Sequence, residues 1–273
     1  MSEMPDLRAY LARIGVAVRP TPDLPSLRGL HLGHVTHIPF ENLDIQMGLP
    51  IRLDLGSLEA KLVTRRRGGY CFEQNTLFLR VLQAVGFNPF PCEARVRSDE
   101  TRISPRTHMV LVTPIDGQCW LSDVGFGGLG LLEPVAMDGR EDRQGDHTYR
   151  VATVGELRAL QARHADGWKD LYVFVPEARH PIDFEVANWF TSTHPESLFV
   201  KTLTAQQATP AARHVLRGLS YTVSRGEVAE TVEIRRDALV PLLRETFGLD
   251  VPDDARFRGL DGAPRGVEGP PVR

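Results

Sequence analysis

The sequence is organised around the stretch RRRGGYCFEQN, which occupies residues 65 to 75. Its cysteine, Cys71, opens a mostly apolar segment from Phe72 to Val85 that ends at Gly86, and this pattern predicts a buried helix with a glycine stop. At the start of a helix, unpaired backbone N–H groups and the helix dipole favour an anion such as a thiolate. The two glycines would let the backbone approach a substrate or another strand closely. Cys71 is therefore a candidate nucleophile, with an inert buried cysteine as the structural alternative.

The composition is typical of a globular protein with two or three subdomains. Hydrophobic residues make up 42% of the 273 residues and charged residues 25%, and a net charge of -3 gives no general attraction to nucleic acid or anionic membranes. No apolar run reaches about 18 residues, and charged residues near the N-terminus exclude a signal-peptide core. Cys71, Cys92 and Cys119 form neither a disulfide framework nor a paired zinc motif. We therefore expect a cytoplasmic protein, either a monomer or a homodimer.

The first third of the chain is predicted to be mainly helical. Helices are expected from Leu7 to Gly15, from Leu27 to Val35 and from Leu55 to Val63, with a loop from Pro39 to Asp44. His31, His34 and His37 recur at helical spacing, as the ligands of a metal site also would. We interpret them as surface or capping histidines because no carboxylate-rich ligand set accompanies them, and we predict no metal site.

After Asn88-Pro89 the pattern changes to strands, which favours an antiparallel barrel or a strongly bent sheet. Strands are predicted at Phe90 to Val96, His108 to Ile115, Gln118 to Val124, Tyr149 to Val154, Leu157 to Gln161 and Asp170 to Val175. The last third is predicted to contain a helix from Phe184 to Phe190, a turn at residues 191 to 195, strands at Leu198 to Leu203, Leu219 to Ser224 and Val228 to Ile234, and a helix from Ala238 to Phe247 capped by Asp237.

The dipeptide Asp116-Gly117 between two apolar runs is a strong signal for a two-residue hairpin turn. Counting back from this turn places His108 and Asp123 on the same face of the hairpin as diagonal neighbours. Their backbones would lie about 7–8 Å apart, which an imidazole and a carboxylate can bridge. Because both faces are otherwise largely apolar, Asp123 is predicted to be buried and to need a partner. A structural His–Asp pair and a functional one are equally compatible with this register.

Together, Cys71, His108 and Asp123 suit nucleophilic catalysis. This chemistry needs a thiolate, a base that takes the thiol proton and an acid that fixes the tautomer of the base. The order Cys, His, Asp and the change from helices to a barrel match the papain-like (cysteine-protease-like) arrangement, in which a cysteine helix packs on a barrel that bears the other two residues. We therefore predict an α+β fold with a papain-like core.

Five stretches in combination resemble the arylamine N-acetyltransferase family. They are RGGYCFE from Arg67, Thr107-His108, DVGFG from Asp123, PFENL from Pro39 and NWFTSTHP from Asn188. The resemblance extends from about Leu7 to Gly248, and the combination is more specific than any single piece.

The resemblance implies an N-terminal helical bundle, an antiparallel β-barrel and an α/β lid. The corresponding domains are 1–88, 89–190 and 191–273, and we expect the tail from Gly259 to be poorly ordered. The resemblance also implies acetyl-CoA as the donor, an aromatic amine or hydrazine as the acceptor, and ping-pong kinetics.

By the same resemblance, Cys71 is the acetylated nucleophile, His108 its base and Asp123 the residue that orients the base. Phe126 and Gly127 would line the acyl and amine pocket near the pantetheine end of CoA.

Further residues are assigned less specifically by the resemblance. Ser104 and Thr193 are candidate CoA contacts, and a plain turn is an equal alternative at Thr193. Glu41 and Arg67 resemble a salt bridge that supports the active site. Arg106 occupies a variable position before the histidine, where it would narrow or charge the cleft.

Three other functions are compatible with these residues. A Cys-His-Asp hydrolase or transglutaminase would hydrolyse p-nitrophenyl acetate without stimulation by an amine. A binding module with an inert cluster would show labelling of Cys71 by iodoacetamide no faster than that of free cysteine. An amide synthase that closes a macrocyclic antibiotic would use the same three residues, and its genomic neighbourhood would distinguish it.

Overall fold

The structure is a computed structural model that describes residues 4–97, 103–226 and 228–262. Its helices lie in the first and last thirds of the chain. The helices are α1 (Leu7–Arg13), α2 (Leu24–His37), α3 (Leu43–Gln46), α4 (Leu55–Leu58), α5 (Cys71–Val85), α6 (Pro181–Thr193), α7 (Leu198–Lys201), α8 (Leu239–Glu245) and α9 (Arg258–Asp261). Helix α4 continues directly into a π-helical segment, Glu59–Thr64, and a 3-10 turn, Arg236–Ala238, precedes α8. In the described ranges, no helix combines the length and apolar character needed to cross a bilayer.

The strands form two antiparallel sheets. They are β1 (Phe40–Glu41), β2 (Phe90–Val96), β3 (His108–Ile115), β4 (Gln118–Ser122), β5 (Val135–Ala136), β6 (Asp142–Gln144), β7 (His147–Val154), β8 (Leu157–His164), β9 (Gly167–Phe174), β10 (Thr204–Ala208), β11 (Arg213–Arg217), β12 (Ser220–Arg225) and β13 (Val228–Glu233). The barrel-like sheet has the order β5-β4-β3-β2-β9-β8-β7-β6, and the lid sheet has the order β1-β10-β11-β12-β13. The predicted α+β fold, with helices first, then a barrel and an α/β lid, is confirmed.

Helix α5 begins at Cys71 and ends before Gly86, as predicted. The Glu73 carboxylate accepts the backbone N–H of Tyr70 at 3.2 Å, which caps the helix start, and Gly86 ends the helix with a left-handed φ of 105°. Gly68 allows the chain before the helix to approach another strand, because a Cβ there would lie only 2.1 Å from the Pro39 carbonyl oxygen. The sequence signals at both ends of this helix therefore have a direct structural cause.

The Asp116-Gly117 turn has the predicted register. Both residues have positive φ (48° and 78°), as a type I′ turn requires, and Ile115 pairs with Gln118. Strand β4 ends at Ser122, two residues before the predicted end. One face of the hairpin packs inside the barrel-like sheet and the other packs against α5. Both faces are therefore buried, which explains why both are apolar.

The strand predicted from Leu198 to Leu203 is wrong, because none of its six residues lies in a strand. Its first four residues form α7, because the Ser197 hydroxyl oxygen accepts the N–H of Phe199 and caps a helical turn. The following strand, β10, begins only at Thr204, where it pairs with β1 and β11. The predicted turn at residues 191 to 195 is also wrong in part, since α6 continues to Thr193.

The end of the described chain differs from the prediction as well. The Asp237 carboxylate pairs with Arg235 and lies inside the 3-10 turn, so it is not the cap residue of α8. Gly259 lies in α9, and its N–H donates to Gln46 Oε1 at 2.8 Å, which makes the predicted disorder from Gly259 wrong at this residue. Residues 263–273 of the predicted tail lie outside the described residues.

Five buried charged side chains join the N-terminal helices to the start of α5. They are Glu41, Asp44, Lys61, Arg67 and Glu73. Arg67 Nη2 donates to Glu41 at 2.8 Å and to Asp44 at 3.0 Å, and Lys61 Nζ donates to Glu73 at 2.7 Å and to Asp44 at 2.8 Å. Burial raises the pKa of Glu73 to about 7, against the opposing effect of Lys61. The Glu41–Arg67 salt bridge expected from the sequence is therefore one part of a larger network.

Removing one member of this network should destabilise the fold. Arg67→Met leaves Glu41 and Asp44 without their shared cation, and breaking a buried ion pair in this way costs roughly 3–5 kcal/mol. We expect that loss in the free energy of unfolding measured in urea. The matched control is Arg65→Met, because Arg65 is exposed and a surface change is usually within about 0.5 kcal/mol. Equal stability of the two variants would contradict a structural role for the network.

Candidate active site

Cys71 is buried at the start of α5, with 3% of its surface exposed. Its thiol donates to the Thr107 carbonyl oxygen at 3.8 Å, which brings the sulfur to the residue before His108. Gly125 packs directly on the cysteine backbone, since a Cβ at 125 would lie 2.7 Å from Cys71 Cα. The helix start therefore meets both the beginning of β3 and the loop that follows β4.

His108 and Asp123 form the pair that the hairpin register predicts. His108 Nε2 donates to Asp123 Oδ2 at 2.7 Å, and 3% and 0% of the two side chains is exposed. The other carboxylate oxygen of Asp123 accepts from Asn75 Nδ2 at 2.9 Å and from the Gly125 N–H at 3.0 Å. The buried carboxylate is thus fully hydrogen-bonded, as a charged group in a dry site requires.

The electrostatics of the pair favour a protonated imidazole. Burial lowers the pKa of His108, but the Asp123 carboxylate and the interaction with the Cys71 sulfur outweigh this effect and raise the pKa to about 10. Burial acts to raise the pKa of Asp123, yet His108, Asn75 and the Gly125 N–H hold that pKa below its usual value. The pair therefore places a positive imidazole and a negative carboxylate beside Cys71.

Asn75 and His31 fix Asp123, and the sequence analysis missed both roles. Asn75 lies one turn after Cys71; its amide group donates to the Met109 carbonyl at 2.8 Å as well as to Asp123, and it accepts the Val124 N–H at 3.1 Å. His31 Nε2 accepts the backbone N–H of Asp123 at 3.1 Å. These bonds join the cysteine helix and α2 to β3 and to the residues that directly follow β4.

The expectation that His31 and His34 are surface or capping residues is wrong, because both are fully buried. His31 Nδ1 donates to the Leu132 carbonyl, and His34 contacts Tyr10 and Gln74. Burial lowers the pKa of His31 to about 4 and that of His34 to about 3, so both rings are neutral. The signal was present in the sequence: each histidine follows a core leucine by four residues. Among the residues described, no His, Cys, Asp and Glu cluster has an arrangement that would hold a metal ion.

Aromatic rings enclose the imidazole. The ring centroids of Phe126 and Tyr172 lie 5.2 Å and 5.0 Å from that of His108. Phe126 is half-buried, and Gly127 follows it against the Phe40 ring, where a Cβ would lie 3.2 Å away. Phe126 and Gly127 are therefore beside the predicted catalytic residues.

Ser104 and Thr193 have hydroxyl groups that already bond to nearby backbone. Ser104 donates to the Val96 carbonyl, and Thr193 donates to the Trp189 carbonyl within α6 at 2.6 Å. Their contact with CoA stays a prediction. Arg106 is directed to Glu93, with 3.7 Å between Nη1 and Oε2.

Comparisons with known proteins agree with this fold. The profile of the N-acetyltransferase family matches residues 23–256. An arylamine N-acetyltransferase from Mycolicibacterium smegmatis is 41% identical over 258 residues, which cover 91% of this chain and 93% of the relative. A Salmonella typhimurium protein, named arylamine N-acetyltransferase / N-hydroxyarylamine O-acetyltransferase, is 36% identical over 252 residues, with 90% of each chain covered.

Solved structures are similar over the same extent. The Mycobacterium marinum arylamine N-acetyltransferase in complex with CoA superposes with a TM-score of 0.85 at 36% identity, covering 89% of this chain and 93% of that one. A crystal structure of the M. smegmatis enzyme gives a TM-score of 0.87 at 38% identity, covering 92% and 96%.

The matched profile and the shared fold define an N-acetyltransferase. More narrowly, the chain belongs to the arylamine N-acetyltransferase family, as the sequence resemblance implied.

The pKa of His108 predicts a pH dependence of stability. Because the folded value of about 10 exceeds the unfolded value of about 6.5, the stabilisation by protonated His108 is complete below pH 6.5 and is lost as the pH rises towards 10. The free energy of unfolding of the wild type should fall relative to that of His108→Gln across this window, by at most about 1.4 kcal/mol per pH unit. Urea unfolding at several pH values measures this difference. His164→Gln, at an exposed strand position, should follow the wild type; a constant difference between wild type and His108→Gln would contradict the assignment.

Replacing Asn75 should lower the free energy of unfolding substantially, because its side chain makes several buried hydrogen bonds. Asn75→Ala leaves Asp123, the Met109 carbonyl and the Val124 N–H each short of one partner, and each buried unsatisfied group costs about 1–3 kcal/mol. Chemical unfolding measures the loss. Gln83→Ala changes an exposed position of the same helix and should have little effect. A loss as small as that of the control would show that Asn75 does not hold the hairpin.

Proposed function

We propose that this protein transfers the acetyl group of acetyl-CoA to an aromatic amine or hydrazine through a thioester on Cys71. The observation that carries the proposal is the convergence of a helix-start cysteine with the buried His108–Asp123 pair. The CoA complex of the M. marinum relative and the names of the curated relatives support the donor and the acceptor class. We also propose the three domains given above and a cytoplasmic location.

In the first half-reaction, the proton of the Cys71 thiol resides on His108, and the sulfur attacks the carbonyl carbon of the acetyl thioester. The carbon–sulfur bond to CoA then breaks, and His108 returns its proton to the departing CoA thiolate. Backbone N–H groups at the start of α5 are suited to stabilise the oxyanion that forms between these steps, because they have no partner within the helix. One thioester replaces another, so little free energy is lost.

In the second half-reaction, the amine nitrogen attacks the carbonyl carbon of acetyl-Cys71. The carbon–sulfur bond to Cys71 breaks, and the nitrogen loses a proton that His108 accepts, which restores the starting imidazolium and thiolate. Asp123 keeps the imidazole in one orientation and stabilises its positive charge throughout. The low exposure of Cys71 and the aromatic rings of Phe126 and Tyr172 favour a flat apolar amine over water.

Intact-protein mass spectrometry tests this sequence of steps. Incubation with acetyl-CoA alone should add about 42 Da, the mass of one acetyl group, and a later addition of an arylamine should remove it and yield the amide. Cys71→Ala should show neither event. Cys119→Ala, which removes a half-buried cysteine outside the site, should behave as the wild type.

The same experiment separates the alternatives that share the three residues. Loss of the adduct in buffer at the same rate with and without amine would indicate a hydrolase. Failure of acetyl-CoA to form any adduct, with Cys71 still reactive towards iodoacetamide, would sink the acetyl-transfer proposal.

A further inference from the structure

Arg213 is a buried cation on β11 whose hydrogen-bond partners are neutral. Only 7% of the residue is exposed. Its guanidinium donates from Nη1 to the Gly128 carbonyl at 2.9 Å and from Nη2 to the Tyr149 hydroxyl at 3.0 Å. Across the described part of the chain, no carboxylate forms a salt bridge with it. A buried charge is costly unless it is paired, as Arg67 is with Glu41 and Asp44, so Arg213 lacks a counter-ion.

A cavity of about 30 Å³ adjoins the Arg213 side chain. A cavity needs roughly 10–15 Å³ to hold one water, so this space accommodates an ion of a few atoms. The lid contributes Arg213 and His214 to its wall, and the loop after β4 contributes Gly127 and Gly128. A guanidinium has five N–H donors, of which two are used by Gly128 and Tyr149.

The one carboxylate in the wall of this cavity, among the described residues, is already neutralised. That residue is Asp123, whose oxygens are engaged by His108, Asn75 and the Gly125 N–H. A second carboxylate, Asp146, is exposed and lines, together with Arg213, a separate cavity of about 10 Å³. The charge that remains uncompensated in the larger cavity is therefore positive.

We propose that this cavity binds a small monovalent anion, chloride or a carboxylate no larger than acetate, against the Arg213 guanidinium. The planar guanidinium is weakly hydrated and matches such ligands well. The volume of the cavity fits an ion of this size. Phe126 and Asp123 also line this cavity, so the anion site adjoins the proposed acetyl-transfer site, but anion binding does not require that reaction.

A bound anion would also brace the glycine loop next to Phe126. Gly128 is held at both its backbone groups by the lid, since its N–H donates to the Gln206 side chain and its carbonyl accepts from Arg213. By neutralising the charge of Arg213, the bound anion would stabilise the hydrogen bond from Arg213 to the Gly128 carbonyl. The expected consequence is a fold that is more stable in chloride or acetate than in a salt whose anion cannot enter.

Thermal unfolding of the full-length protein without CoA tests the site. Sodium chloride or sodium acetate is titrated at constant ionic strength maintained with sodium gluconate, whose anion is much larger than acetate. The unfolding midpoint of the wild type should rise by about 3–5 °C for each tenfold increase in anion concentration above Kd. Arg213→Met should lose this response, whereas Arg217→Met, which removes an exposed arginine from the same strand, should keep it. An equal response in Arg213→Met and the wild type, or none in the wild type, would overturn the proposal.

Crystals of the wild type soaked in sodium bromide give a second test that does not need the variant to fold. An anomalous peak in contact with the Arg213 guanidinium is expected. A cavity without bromide under conditions that label other surface sites would overturn the proposal. Because neither measurement uses acetyl-CoA, a failure here is distinguishable from a failure of the proposed enzymatic function.

Discussion

The hydrogen bond between His108 and Asp123 is the interaction on which the rest of the site depends. Both groups are buried, so neither can hold its charge without the other. Asn75 places this pair relative to Cys71, because its side chain extends from the cysteine helix to β3 and to the residues that directly follow β4. The site is therefore built from regular elements whose relative positions are fixed by a few hydrogen bonds. Such preorganisation is what nucleophilic catalysis requires of a scaffold.

The parts of the site that the sequence predicted are those set by local physical rules. A two-residue turn at Asp116-Gly117 determines strand register, and register alone places His108 and Asp123 on one face. The end of the cysteine helix was likewise predictable, because glycine readily adopts the left-handed backbone conformation that ends the helix at residue 86. The spacing of the residues did not predict that the cysteine helix packs against the hairpin. That arrangement came from the resemblance to the family.

The parts that were missed depend on contacts between distant residues or on very short elements. His31 is buried, contrary to the prediction, because it forms hydrogen bonds with Leu132 and Asp123 that compensate its burial. Both partners lie about a hundred positions away in sequence. Helix α7 has four residues, too few for helical periodicity to be recognised, and Ser197 alone decides its start. Strand β1 has two residues, and its partner in the lid sheet lies in the last third of the chain.

The position of β1 has a consequence for biosynthesis. Phe40 and Glu41 pair with Gln206 and Ala205, while the N–H of Glu41 also donates to the Gly69 carbonyl beside the cysteine helix. The segment that supports Cys71 therefore acquires its edge partner only after about 160 further residues have left the ribosome. In a nascent chain, β1 therefore stays unpaired until synthesis is nearly complete, and the cysteine helix gains its full set of neighbours late. A chain truncated before Thr204 would keep this strand unpaired and open to association.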